Sequence, residues 1–141
     1  MDYKKIDDTH ILLRLDVDDE VVASLETLAK KENIKLASLQ GLGAAKHAVM
    51  GVYNVITREY KSNTMDGALE ILSLTGTIDT MNGKYYSHIH IALGDETGRA
   101  FGGHLNEAVI GGTAEIMLTL LPGEIDRGKC DKTGLNVWRF Y

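Results

Sequence analysis

Cysteine, proline and long apolar runs are all scarce in this chain, and each scarcity excludes something. Cys130 is the only cysteine among 141 residues, so no intrachain disulfide can form and a zinc site built from several thiolates of one subunit is ruled out. Any metal must rely on histidine and carboxylate. Pro122 is the only proline, and with 44% apolar and 25% charged residues the composition is that of an ordinary globular protein, not a disordered or fibrous one. Apolar stretches such as Ile116 to Leu121, interrupted by Thr119, fall far short of the roughly 20 residues a bilayer span needs, so no membrane crossing is expected. Basic charge is short as well: 15 Lys and Arg against 20 Asp and Glu leave a net charge of −5, whereas a free-standing nucleic-acid binder usually carries a basic stripe. DNA binding is therefore possible but disfavoured. Met1 to Asp8 lacks the apolar core and small-residue cleavage site of a signal peptide, which predicts a cytoplasmic protein. The length suits a single domain over residues 1–141.

His10 to Val17 reads as a first strand. Asp18 and Asp19 then supply a cap for a helix whose buried stripe is Val21, Val22, Leu25, Leu28 and Ala29, with Glu20, Glu26, Lys30 and Lys31 left to solvent and an end near Asn33. Beyond it the chain is β-rich, with strands predicted over Lys35 to Leu42, Ala45 to Ile56, Leu69 to Ile78, Lys84 to Leu93, Arg99 to Leu105, Glu115 to Leu121 and Leu135 to Tyr141. Asn82-Gly83 is the dipeptide of a type I′ hairpin turn, and Gly94 to Gly98 is a polar break that predicts a second hairpin. Arg58 to Gly67 reads as an exposed polar loop. The expected fold is α/β of the α+β type, one largely antiparallel sheet packed with helices.

Three of the five histidines, His88, His90 and His104, fall in one short window. Alternate strand residues share a face, so His88 and His90 point one way while Ile89 and Ile91 point the other. If Leu93 pairs with Arg99 across the second hairpin, His104 falls opposite His88 and Gly102 opposite His90. Opposed Cβ atoms about 4.5 to 5.5 Å apart allow two imidazoles to share an ion. Any register of the same parity keeps all three rings on one face, while a shift of parity or a bulge at Gly102-Gly103 throws His104 to the other side. Three neutral imidazoles are a familiar zinc set that leaves a fourth position open. The expected cofactor is thus a divalent metal, zinc by preference, on His88, His90 and His104. The plainer alternative is that His88 and His90 face solvent on a half-exposed strand while His104 satisfies a loop backbone. Asp95 and Glu107 are candidates for an outer-shell or acid/base role. Gly98, Gly102 and Gly103 read as structural glycines; the latter two either leave room beside the rings or mark a bulge. His10 and His47 have no comparable partners.

Gly41 to Lys46 begins like a dinucleotide fingerprint, but the third glycine is missing and strand follows. Cys130 lacks an adjacent histidine to activate it.

Gly41-Leu42-Gly43-Ala44, Leu69 to Gly76, His88 to Asp95, Gly98 to Leu105 and Thr113 to Ile116 together resemble the plants-and-prokaryotes-conserved (PPC) domain in order and spacing. The resemblance implies a largely antiparallel α/β domain assembled as a homotrimer, with a metal held in some free-standing relatives by histidines matching His88, His90 and His104. It also implies an association with DNA, since plant relatives follow an AT-hook. No Arg-Gly-Arg-Pro hook occurs here, so the arginines that would enter a minor groove are missing. A metal-binding trimer, a DNA-associated regulator and a scaffold with incidental histidines are the three readings that the sequence leaves.

Overall fold

The computed structural model describes residues 1–140. Along the chain lie β1 (Asp2–Lys5), β2 (His10–Leu15), α1 (Val21–Lys31), β3 (Ala37–Asn54), β4 (Glu59–Met81), β5 (Lys84–Gly94), β6 (Ala100–Leu120), β7 (Asp126–Lys129) and β8 (Asn136–Trp138). Strand dominates, and α1 is the one helix among the described residues, so the expectation of several helices packed on the sheet reduces to a single one. No described helix is long and apolar enough to cross a membrane.

The expected helix forms, but Glu20 caps it. Its carboxylate accepts from the backbone N–H of Val22 (3.0 Å) and Ala23 (2.6 Å), and from Ala108 of β6 (3.1 Å), which ties the helix start to the sheet. Asp19, the expected cap, instead accepts from Asp16 N and pairs with the N-terminal amine. At the other end Asn33 takes φ +52°, and the N–H groups of Asn33 and Ile34 bond the carbonyls of Lys30 and Ala29, the Schellman closure. Val21, Leu25, Leu28 and Ala29 are buried as their spacing predicts, and α1 lies on β5 and β6.

Two long strands replace four shorter ones. β3 unites the segments expected over 35–42 and 45–56, with bulges at Gly41/Gly43 and Ala45/His47, and β6 unites those expected over 99–105 and 115–121. Of the expected loop over residues 58–67 only Arg58 lies in a turn: β4 begins at Glu59 and pairs with β3 from there onward. β1 and β7 were not legible, and the parallel pairing of β7 with β4 makes the sheet mixed. The last predicted strand is confined to Asn136–Trp138, and Tyr141 lies outside the described residues.

β3 pairs with β4 on one side and β6 on the other, while β5 pairs with both β4 and β6, so these four strands close on themselves. One face, with Ile11, Leu13, Leu39, Leu74, Ile78, Ile89, Ile91 and Leu118, forms the core with α1. The outer face carries a row read from strand to strand: Leu12, Met117, Gln40, Thr75, His90 and His104 lie opposite one another in turn.

The segment after β6 returns to this outer face. Arg127 of β7 donates from Nε and Nη2 to the two oxygens of buried Asp79 (2.7 Å each), and Trp138 Nε1 donates to the same carboxylate (2.7 Å). Nη1 donates to the carbonyl of Asn136 (3.0 Å), and the guanidinium stacks on Tyr86 and Trp138. Removing one partner strands a buried charge. Asp79→Ala is expected to lower unfolding free energy by about 3 to 5 kcal/mol, read as a lower urea midpoint at unchanged slope.

Candidate metal centre

β5 turns His88 and His90 outward because Ile89, Ile91 and Leu93 are drawn into the core. His104 arrives from β6 across a hairpin tighter than the sequence suggested. Asp95 N–H bonds the carbonyl of Arg99 (3.0 Å), which extends the ladder and leaves only residues 96–98 in the loop. The Asp95 carboxylate accepts from Thr97 N (2.9 Å), Thr97 Oγ1 (2.6 Å) and Arg99 N (3.0 Å), and Gly98 sits at φ +79°, where a side chain would be strained. The register therefore moves by two: Leu93 pairs with Phe101, and His104 lies opposite His90, not His88, with Gly102 opposite Ala92. A shift of two preserves parity, so all three rings still share a face.

Ring centroids are separated by 5.2 Å (His88 to His90), 5.2 Å (His88 to His104) and 5.7 Å (His90 to His104), a nearly equilateral triangle. One ring nitrogen from each lies within 4.8 Å of the others. Nitrogens bound to one tetrahedral ion at about 2.0 to 2.1 Å sit ~3.4 Å apart, so small ring rotations bring the set onto a cation. Burial holds the His104 imidazole below its ordinary pKa, and His88 and His90 add to the effect. Burial does the same for His88, reinforced by the Arg127 guanidinium and then His90, with Asp79 opposing. Both rings are thus kept in the neutral, electron-pair-donating form that a metal requires, and the donor set fits a borderline divalent ion.

The other expected participants make their contacts elsewhere. Asp95 caps its own turn. Glu107 lies 3.9 Å from Nε2 of His47, whose Nδ1 is 2.6 Å from Asp66. His10 is held by Asp7 and Thr9. Gly102 and Gly103 serve backbone approach, not space beside the rings: a Cβ on Gly103 would stand 2.6 Å from the Gly51 carbonyl oxygen, and one on Gly102 would strike that of Ile91. Neighbours that the sequence did not reveal are Thr75 and Thr77, opposite His90 and His88, and Tyr60. The Tyr60 ring meets His104 edge-on at 6.4 Å, and its hydroxyl donates to Asn106 Oδ1 (2.5 Å). Thr75 and Thr77 follow from strand alternation once β4 is paired; Tyr60 lay in the segment read as a loop.

The sequence model of the Plants and Prokaryotes Conserved (PCC) domain matches residues 1–122. The chain belongs to this family. Among solved structures it is similar to a candidate DNA-binding protein from Bacteroides thetaiotaomicron at 31% identity and TM-score 0.94, covering 99% of this chain and 96% of that one. A metal-containing protein from Archaeoglobus fulgidus is 31% identical, with TM-score 0.85 over 97% of this chain and 100% of that one. A plant- and prokaryote-conserved protein from Pyrococcus horikoshii is 33% identical, with TM-score 0.84 over 94% and 92%. Among curated proteins, none matches this chain. The PCC domain match ends at Leu120-Leu121-Pro122, so Arg127 and Trp138, which brace Asp79 beside the triad, lie beyond it.

The depressed affinities of His88 and His104 for protons have a consequence for the metal-free protein. The unfolded chain takes up these protons near pH 6.5 and the folded one only at lower pH, so the stability they confer is full above pH 6.5 and is lost as pH falls below it. Urea midpoints of the metal-free protein are expected to drop between pH 7.5 and 5.5, and less steeply in His88→Gln/His104→Gln.

Proposed function

We propose that this PCC domain protein binds a divalent metal, zinc by preference, through His88, His90 and His104, and that it does so as a homotrimer. The convergence of three imidazole nitrogens within 4.8 Å on one sheet face carries the reading. The similarity to a metal-containing protein of the same family supports it. Three protein ligands leave a coordination position for water or a small molecule, and a metal there would supply Lewis acidity. Thr75, opposite His90, offers a hydroxyl beside the triad that can hydrogen-bond a small polar ligand, while those of Thr77 and Tyr60 are donated to Asp79 and Asn106. The outer-face leucines and Met117 support a subunit contact, because an exposed apolar patch is ordinarily covered. Asp95 and Glu107 are assigned supporting roles at most, in the turn and beside His47.

A DNA-associated role is the second reading, favoured by the DNA-binding description of similar proteins. The net charge of −5 and the missing hook argue against direct binding.

Metal analysis of the purified protein is expected to give one zinc per chain and close to none in His88→Ala/His104→Ala; stoichiometric metal in both would overturn the assignment. Single His104→Ala is expected to weaken zinc binding by more than about a hundredfold, beyond the 10- to 100-fold typical of losing an outer-shell partner. Occupancy is expected to fall on acidification toward about pH 5 as the imidazoles protonate. Fluorescence anisotropy with an AT-rich duplex is expected to show no binding at physiological salt, and tight sequence-selective binding would reverse the two readings.

A further inference from the structure

His104 is the least supported ring of the triad. His88 and His90 stand on one strand and face Thr77 and Thr75 across β4. Beside His104, by contrast, Gly51 lies opposite on β3 and Gly102 precedes it by two residues on β6, and neither carries a side chain. Ring hydrogen bonds hold His10 and His47, but among the described residues none holds His104. An imidazole in that setting is free to turn about its Cα–Cβ bond into the space above Gly51. Tyr60 occupies that space. It stands on β4 two residues before Ser62, the partner of Gly51, and its ring reaches across β3, so that a Cβ on Gly51 would lie 2.6 Å from both Cζ and the hydroxyl oxygen. The ring meets the His104 imidazole edge-on, at 89° and 6.4 Å between centroids, within the range of a favourable aromatic pair. On the far side of β3 the hydroxyl donates to Asn106 Oδ1 at 2.5 Å, with the His104 carbonyl oxygen at 3.4 Å.

We propose that Tyr60 is a positioning residue for the metal centre: its ring, laid over Gly51 and tethered to Asn106, holds the His104 imidazole turned toward His88 and His90. This role rests on the metal-binding reading and adds to it a residue that orients one ligand. Core packing does not account for Tyr60. It is 42% exposed and belongs to residues 52–61 of the β3–β4 hairpin, which no third strand flanks. The hairpin is nonetheless fixed at its turn, where Arg58 Nη2 donates to the Asp131 carbonyl (2.9 Å) and Asn54 Oδ1 accepts from Ile56 N (2.9 Å). A tyrosine held at both its backbone and its hydroxyl is a rigid wall, and a rigid wall leaves a neighbouring imidazole few rotamers. That restriction matters for an ion. The ring nitrogens stand within 4.8 Å of one another and must close to about 3.4 Å on a tetrahedral cation. A ligand side chain already turned inward loses less conformational freedom on binding, which is how outer-shell neighbours raise metal affinity.

Competition with a chromophoric zinc chelator tests this on the full-length wild type, Tyr60→Phe, Tyr60→Leu and Tyr60→Ala, each checked for fold by circular dichroism. Tyr60→Phe keeps the ring and is expected to bind zinc within about threefold of wild type, whereas Tyr60→Ala is expected to bind about 10- to 100-fold more weakly, the loss typical of an outer-shell partner. Tyr60→Leu keeps apolar bulk on the strand without the reach of the ring; it is expected to follow Tyr60→Ala, and it carries the test if Tyr60→Ala misfolds. Cobalt in place of zinc reports ligand geometry: the visible absorption of wild type and Tyr60→Phe is expected to coincide, and that of Tyr60→Leu to differ in position and intensity. A merely structural role would lower the urea midpoint without separating Phe from Leu in affinity or spectrum. Wild-type affinity and spectrum in Tyr60→Leu or Tyr60→Ala overturn the positioning role while leaving the metal site standing. Equal losses in Tyr60→Phe and Tyr60→Leu assign the effect to the hydroxyl and overturn the role of the ring. A wild type that binds no zinc overturns both readings.

Discussion

His104 is where β6 changes partners, and the rest of the arrangement depends on that crossing. The residue pairs with His90 of β5 on one side and Gly51 of β3 on the other. Four strands can close only if the backbones meet here at sheet spacing, and they do so without side chains in the way. Gly51 leaves room for the Tyr60 ring, whose Cζ and hydroxyl would stand 2.6 Å from a Cβ, and Gly103 lies directly against Gly51. The same closure that removes the exposed edges of β5 and β6 delivers the third histidine to the other two. Fold and candidate centre are therefore two consequences of one contact, and a residue that disturbs the glycine pair disturbs both.

How much of this was legible depends on the range of the interaction. The Asn82-Gly83 hairpin was fully visible, since both residues take positive φ for a reason local to the turn. Facing of His88 and His90 was visible because parity is local. The partner of His104 was not, because register across the second hairpin hangs on a carboxylate: Asp95 gathers three donors and shortens the loop from five residues to three. Parity survived that slip because hairpin ladders slide in steps that keep both strands' faces matched to the core. Composition also misled at residues 58–67, where a strand with no second layer above it has no apolar side to display.

The C-terminal segment was illegible for a different reason. Nothing in Arg127 or Trp138 announces that they converge on Asp79, about fifty residues earlier in the chain, and the parallel pairing of β7 with β4 has no local signature. A buried carboxylate demands partners, and β4 places Asp79 beyond Thr77 on the face that carries the histidines. The guanidinium that answers it also raises the cost of protonating His88. Burial is the first cause of that lowered proton affinity, and Arg127 reinforces it against the opposing carboxylate of Asp79.

Across the outer face the row His104, His90, Thr75, Gln40, Met117, Leu12 grades from imidazole through hydroxyl and amide to aliphatic. Because strand side chains alternate with period two, none of these residues can move to the other face alone: a one-residue slip of β4 would bury Thr75 and expose Leu74. Core demand on Leu74, Ile89, Ile91 and Ile116 thus fixes the opposite face as strictly as its own chemistry would. The bulge of β4 is the exception, since Leu72 is left out of the pairing with β5 and stands exposed beside Ser73, whereas Leu42 of β3, paired with Glu115, reaches solvent by ordinary alternation with Gln40. Apolar exposure at these two points thus follows from backbone geometry, alternation along β3 and the bulge of β4.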